Sequence, residues 1–109
     1  MKDLMRQLTS VEEFEELYKN EGITIFVFSA NWCPDCVYIK PFLPKLIDKY
    51  KNYKFIYVDR DQFIDLAIGM QIMGIPSFVA IKDGKEVSRF VSKLRKTEVE
   101  IDAFLRGVV

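Results

Sequence analysis

Apolar residues recur along the chain in two rhythms. After Ser10, the residues Val11, Phe14, Leu17 and Tyr18 keep the spacing of one helix face. Ser10 with Glu13 three positions on is a capping box, the hydroxyl serving the Glu13 amide while the Glu13 side chain reaches back. Ahead of this helix, Leu4 to Leu8 is a candidate short strand. Gly22 ends the helix, and Ile23-Thr24-Ile25-Phe26-Val27-Phe28-Ser29 follows as a β-branched and aromatic run, the pattern of a central strand covered on both faces. From Cys33 to about Tyr50 the helical spacing returns through Val37, Ile39, Phe42, Leu43, Leu46 and Ile47. Pro41 should kink that helix by removing a backbone donor, and Pro44 should add to the distortion. Lys54 to Asp59 is a second strand, and Gln62 to Met73 a short helix with Phe63, Leu66, Ala67 and Met70 inward. Phe78-Val79-Ala80-Ile81 and Glu86 to Val91 are two strands joined by a tight hairpin at Asp83-Gly84. Thr97-Glu98-Val99-Glu100 is a capping box opening a last helix, with Val99, Ile101, Phe104 and Leu105 apolar. The order β-α-β-α-β-α-β-β-α predicts a three-layer α/β domain. Its mixed sheet is parallel where helical crossovers force it and antiparallel at the final hairpin, with helices on both faces.

Composition bounds this picture. The 109 residues fit one domain, residues 1–109, and half of them are apolar, enough for a core without disulfide staples or structural metal. Sixteen Lys and Arg balance sixteen Asp and Glu, so neither nucleic acid nor an acidic membrane is an expected partner. The basic clusters at Lys82 to Lys85 and Lys93-Leu94-Arg95-Lys96 read as solvated face or turn. Met1 to Arg6 lacks the apolar stretch of a signal peptide, and no segment nears the ~18 apolar residues of a membrane span. The expected location is cytoplasmic. Two cysteines three positions apart in a reducing compartment point to catalysis or metal rather than to a staple.

The cysteines lie between the buried strand and the long helix. Cys33 should fall at the helix N-terminus and Cys36 in its first turn, with Pro34 where a missing amide proton costs nothing. Unpaired amides and the helix dipole favour a thiolate there, making Cys33 the nucleophile and the deeper Cys36 the resolving thiol of a disulfide exchange. Trp32, just before the nucleophile, would shield the site and offer a surface to the substrate. A zinc site is the first rival, but one Cys-x-x-Cys is half a ligand set and the chain has no His. The same lack removes the base of a cysteine protease. No cofactor or metal is expected.

The segment Ser29-Ala30-Asn31-Trp32-Cys33-Pro34-Asp35-Cys36 resembles the active site of the thioredoxin family, and Gly74-Ile75-Pro76 resembles its second motif. Pro41 matches the family's helix kink and Asp83-Gly84 its hairpin turn, so the resemblance runs over nearly the whole chain. It implies the thioredoxin-like fold and a thiol-disulfide oxidoreductase acting on protein or small-molecule disulfides. The electron donor would resemble thioredoxin reductase or be a low-molecular-weight thiol, and the chain would be a monomer. It also implies that Pro76 is cis and lies against the cysteines, that Trp32, Pro34, Asp35 and Pro76 support catalysis, and that Trp32, Gly74, Ile75 and Pro76 bind substrate, the Ile75 backbone pairing with an extended segment. A thioredoxin-fold docking module using Trp32, Ile75 and Pro76, with little redox turnover, is the alternative.

The sequence also departs from the family. Pro34-Asp35 replaces the usual Gly-Pro and resembles a subgroup of reductases with Trp-Cys-Pro-Asp-Cys, some restricted to particular or low-molecular-weight disulfides. Asp35 suits the helix dipole but opposes a nearby thiolate, and the sequence does not rank the two effects. The family's buried acid and its lysine are replaced by Val27 and Phe55, a joint loss that leaves no unpaired buried charge. Asp35 or a bound water would then take the proton of Cys36. Val91 stands where the family commonly has Gly, which should narrow the substrate groove.

Overall fold

The computed structural model describes residues 4–109; residues 1–3, part of the stretch read above for a leader, lie outside the described residues. The elements are β1 (Arg6–Gln7), α1 (Val11–Lys19), β2 (Ile23–Ser29), α2 (Pro34–Ile39), α3 (Leu43–Lys49), β3 (Lys54–Asp59), α4 (Ile64–Gly69), β4 (Ser77–Lys82), β5 (Lys85–Phe90) and α5 (Glu98–Arg106). They follow the predicted order with one helix divided in two. The sheet runs β1-β3-β2-β4-β5. Strands β1, β3 and β2 are parallel, while β4 pairs antiparallel with β2 and with β5.

Central β2 explains why the sheet is covered twice. Ile25 and Val27 point into a core with Phe55, Tyr57 and Phe78, packed by Ile39, Leu43 and Leu46 of the divided helix and by Ile101 and Leu105 of α5. Phe26 and Phe28 point the other way, onto Phe14 and Leu17 of α1 and Ala67 of α4. All four of these β2 side chains are fully buried. At about 1.5–3 kcal/mol for each large apolar side chain taken from water, β2 alone is a major share of the fold's stability.

Local chemistry sets the element ends. Ser10 Oγ accepts the Glu13 amide at 3.0 Å, but the Glu13 carboxylate reaches past Ser10 to the Thr9 amide at 2.8 Å. The box at Thr97 and Glu100 is complete. Asp83 and Gly84 both have positive φ, 51° and 83°, the demand of the tight hairpin turn. The box at Ser10 is therefore only half formed, and three further expectations are corrected. Pro41 breaks the helix outright, because with no N–H it cannot bond Val37, whose carbonyl is taken instead by the Lys40 amide at 3.2 Å. Pro44 adds no distortion, standing in the first turn of α3 where its missing N–H is harmless. Val11 and Val99 are exposed rather than inward, each in a helix's first turn, where caps rather than packing hold the chain.

Candidate active site

From the end of β2 the chain turns through Ala30, Asn31 and Trp32 into α2. Pro34 begins that helix with φ already fixed and no amide to leave unpaired. Cys33 is the N-cap, in extended conformation, and its Sγ accepts the amide of Cys36 at 3.3 Å. An amide aimed at sulfur is a contact that a thiolate accepts well. On its other side the Cys33 thiol donates to the Ile75 carbonyl at 3.6 Å. The Ile75–Pro76 bond is cis. Cys33 is thus held between a helix start and the loop before β4.

Both cysteines are free thiols, Cys33 5% exposed and Cys36 1%. Burial first, then the adjacent Cys33 sulfur, pushes the Cys36 thiol up to about 12, so Cys36 keeps its proton near neutrality. Trp32 lies on the rim, 61% exposed, and is fixed there: its indole N–H donates to Asp61 at 2.6 Å and the Arg60 guanidinium lies 5.4 Å from its ring. The indole and then Arg60 hold the Asp61 carboxyl below its usual range. The sequence reading missed Arg60 and Asp61; their one signal is the end of β3, which pairs with Ser29 at the end of β2.

Asp35 is paired. Arg95 Nε donates to it at 2.8 Å, and the same guanidinium lies 4.5 Å from the Tyr38 ring. Lys93, Leu94 and Arg95 are exposed on a turn, in line with the reading of that cluster, although Arg95 is engaged with Asp35; Lys96 departs from it. Lys96 is buried, donating to the Ser92 and Leu94 carbonyls at 3.1 and 3.2 Å beside the Phe90 ring. Burial pushes its ammonium down, while the charges of Asp35, Cys36, Glu100 and Cys33 act the other way.

Gly74 is required by packing: a Cβ there would lie 2.2 Å from the Ser92 carbonyl oxygen. Its own carbonyl accepts the Ser77 hydroxyl. Ile75 packs on Ala30, Cys33 and Cys36, and Pro76 is buried beside it in sequence. Val91 is half-buried against the α1 and α4 core and borders a surface hollow with Gln71, Met73 and Arg89. Val27 and Phe55 are core residues as read. Beneath the site two buried hydroxyls, Ser29 Oγ and the Tyr57 OH, have no hydrogen-bond partner among the described residues. Nor do three or more His, Cys, Asp or Glu side chains gather among those residues into a metal-holding group.

Two buried thiols in unequal settings at a strand-to-helix corner, one sulfur accepting the other residue's amide and facing a loop carbonyl, form a thiol-disulfide exchange site. Comparison with known proteins agrees. The family model described as Thioredoxin matches residues 6–106. Thioredoxin of Equus caballus is 32% identical over 108 residues, covering 97% of this chain and 100% of that protein. Mitochondrial thioredoxin-2 of Schizosaccharomyces pombe is 33% identical, covering 86% of this chain and 73% of its own. The X-ray structure of Fasciola hepatica thioredoxin superposes with a TM-score of 0.80 at 31% identity, over 94% of this chain and 97% of that one. The chain belongs to the thioredoxin family, and its activity is that of a thiol-disulfide oxidoreductase.

Proposed function

We propose that the chain reduces protein or low-molecular-weight disulfides, with Cys33 as nucleophile and Cys36 as resolving thiol. The unequal setting of the two sulfurs carries this reading: Cys33 is faced by an amide donor, while Cys36 is buried and keeps its proton. The Cys33 thiolate attacks a substrate sulfur, the substrate disulfide breaks, and its first thiolate leaves and takes a proton. Cys36 gives up its proton and attacks the Cys33 sulfur of the mixed disulfide, which releases the second substrate thiol and closes the Cys33–Cys36 disulfide. The dithiol has then passed two electrons and two protons to the substrate.

Trp32, Ile75 and Pro76, with Gly74 letting their loop pack closely, form the rim where an extended substrate lies, its backbone pairing with Ile75. Pro34-Asp35 between the cysteines resembles the Trp-Cys-Pro-Asp-Cys subgroup and favours small or restricted disulfides. A reductase of the thioredoxin-reductase kind or a low-molecular-weight thiol restores the dithiol. Two cysteines three positions apart suit exchange in a reducing compartment better than a structural staple, and we place the chain in the cytoplasm as a monomer serving redox homeostasis. Cys36→Ser should accumulate a covalent mixed disulfide with a disulfide substrate, seen by mass spectrometry, and Cys33→Ser should not. Equal trapping by both variants would reverse the assignment.

A further inference from the structure

The roles given above to Cys33 and Cys36 leave one proton without a taker. Cys36 must lose it to attack, and the side chains around it offer no free base: Ser29, whose hydroxyl is buried beside Cys36 without a partner among the described residues, is a neutral donor and a weak acceptor, and the rest are occupied or apolar. Val27 is a core aliphatic residue, and the chain has no His. Asp35, on the same helix, is paired with Arg95. Asp59 accepts the amides of Asp61 and Gln62, and Asp61 accepts the Trp32 indole. Lys96, whose charge reaches Cys36 from the loop before α5, donates to two carbonyls.

What does touch Cys36 is a cavity of about 30 Å³, lined by Ala30, Asn31, Cys36, Val37, Lys40 and Tyr57. A water needs on the order of 10–15 Å³ of such space and a few polar neighbours. Cys36 and Tyr57 are its buried border, while Asn31, Val37 and Lys40 are exposed, so the cavity joins the interior to solvent. Tyr57 is 1% exposed, and its hydroxyl has no hydrogen-bond partner among the described residues. We propose that a water in this cavity takes the proton that Cys36 releases during resolution and passes it outward past Asn31 and Lys40, and that Tyr57 is the residue positioning that water.

Burial pushes the Tyr57 phenol up; the nearby Ser29 hydroxyl acts the other way, and the charges of Asp59, Cys36 and Asp61 add to the rise. The hydroxyl therefore remains neutral and acts as a hydrogen-bond donor and acceptor, not as a base. In the resolving step the Cys36 S–H bond breaks to water, the Cys36–Cys33 bond forms, and the Cys33–substrate bond breaks with its electron pair leaving on the substrate sulfur.

The test mixes the reduced protein rapidly with a chromogenic aryl disulfide, which releases one aryl thiolate on attack by Cys33 and a second on resolution by Cys36. Tyr57→Phe should slow the second phase about fivefold to tenfold, the rate equivalent of one hydrogen bond, and leave the first at the wild-type rate. The second phase should also become proportional to hydroxide across the neutral range. Val37→Phe, filling the cavity from the exposed side of α2, should give the same signature. A second phase with unchanged rate and pH profile in both variants would overturn the proposal, as would equal slowing of both phases, which means a displaced α2. Absence of a second equivalent from the wild type would instead overturn the Cys33–Cys36 cycle itself.

Discussion

Asp35 is where a single side chain decides between two effects. A carboxylate in the first turn of α2 suits the helix terminus and opposes a neighbouring thiolate. Arg95, reaching it from 60 residues away in sequence, resolves the conflict by neutralising the charge at 2.8 Å. The pair is partly exposed, so its direct worth to stability is about 0.2–1 kcal/mol. Its larger consequence falls on the sulfur beside it. Arg95→Gln should slow alkylation of the reduced site by iodoacetamide at pH 7 about two- to fivefold, the rate equivalent of such a pair. In an Asp35→Asn background the same substitution should change nothing. Equal slowing in both backgrounds would show that Arg95 acts through something other than Asp35.

Among the elements, the loop before β4 and the segment after β5 are locked by close approach. Gly74→Ala would drive its Cβ to 2.2 Å from the Ser92 carbonyl oxygen and 2.8 Å from Lys93 Cα, both backbone atoms that cannot swing aside. The expected loss is about 1–3 kcal/mol of stability, read as a lower urea midpoint, together with slower disulfide exchange as Ile75 moves from Cys33. Gly69→Ala, with nothing within 4 Å of the new Cβ, is the control and should stabilise slightly. Such features divide what was legible in the sequence from what was not. Ser10, Thr97 and Asp83-Gly84 could be read because caps and turns are made by neighbours within three or four residues. The Cys33–Cys36 corner was readable for the same reason. Pro41 was read in kind but not in degree, as a kink where the chain makes two helices. The bonds from Arg95 to Asp35 and from Trp32 to Asp61 span 60 and 29 residues. No periodicity announces such pairs, because they depend on which strand ends the sheet brings together.

For the whole molecule, one buried strand serves both cores, so the protonation of a buried group is linked to global stability. The folded state raises Cys36 from its ordinary value of 9.0 to about 12. The native chain therefore holds this proton more tightly than the unfolded chain does. The resulting stabilisation is complete below pH 9 and is lost as pH rises toward 12. Tyr50, Tyr53 and Tyr57, all raised first by burial, slope the same way from a higher starting point. Urea unfolding of the reduced protein between pH 8 and 11 should show this decline, and Cys36→Ala should flatten its early part. An identical slope in the variant would remove Cys36 from the linkage. A different consequence follows from Trp32, the chain's single tryptophan, pinned at the rim by Asp61 while the two cores hold tyrosine and phenylalanine. All indole emission arises within one residue of the redox sulfur. The protein thus carries a built-in optical reporter that responds to oxidation or docking at the site and is silent to rearrangement elsewhere.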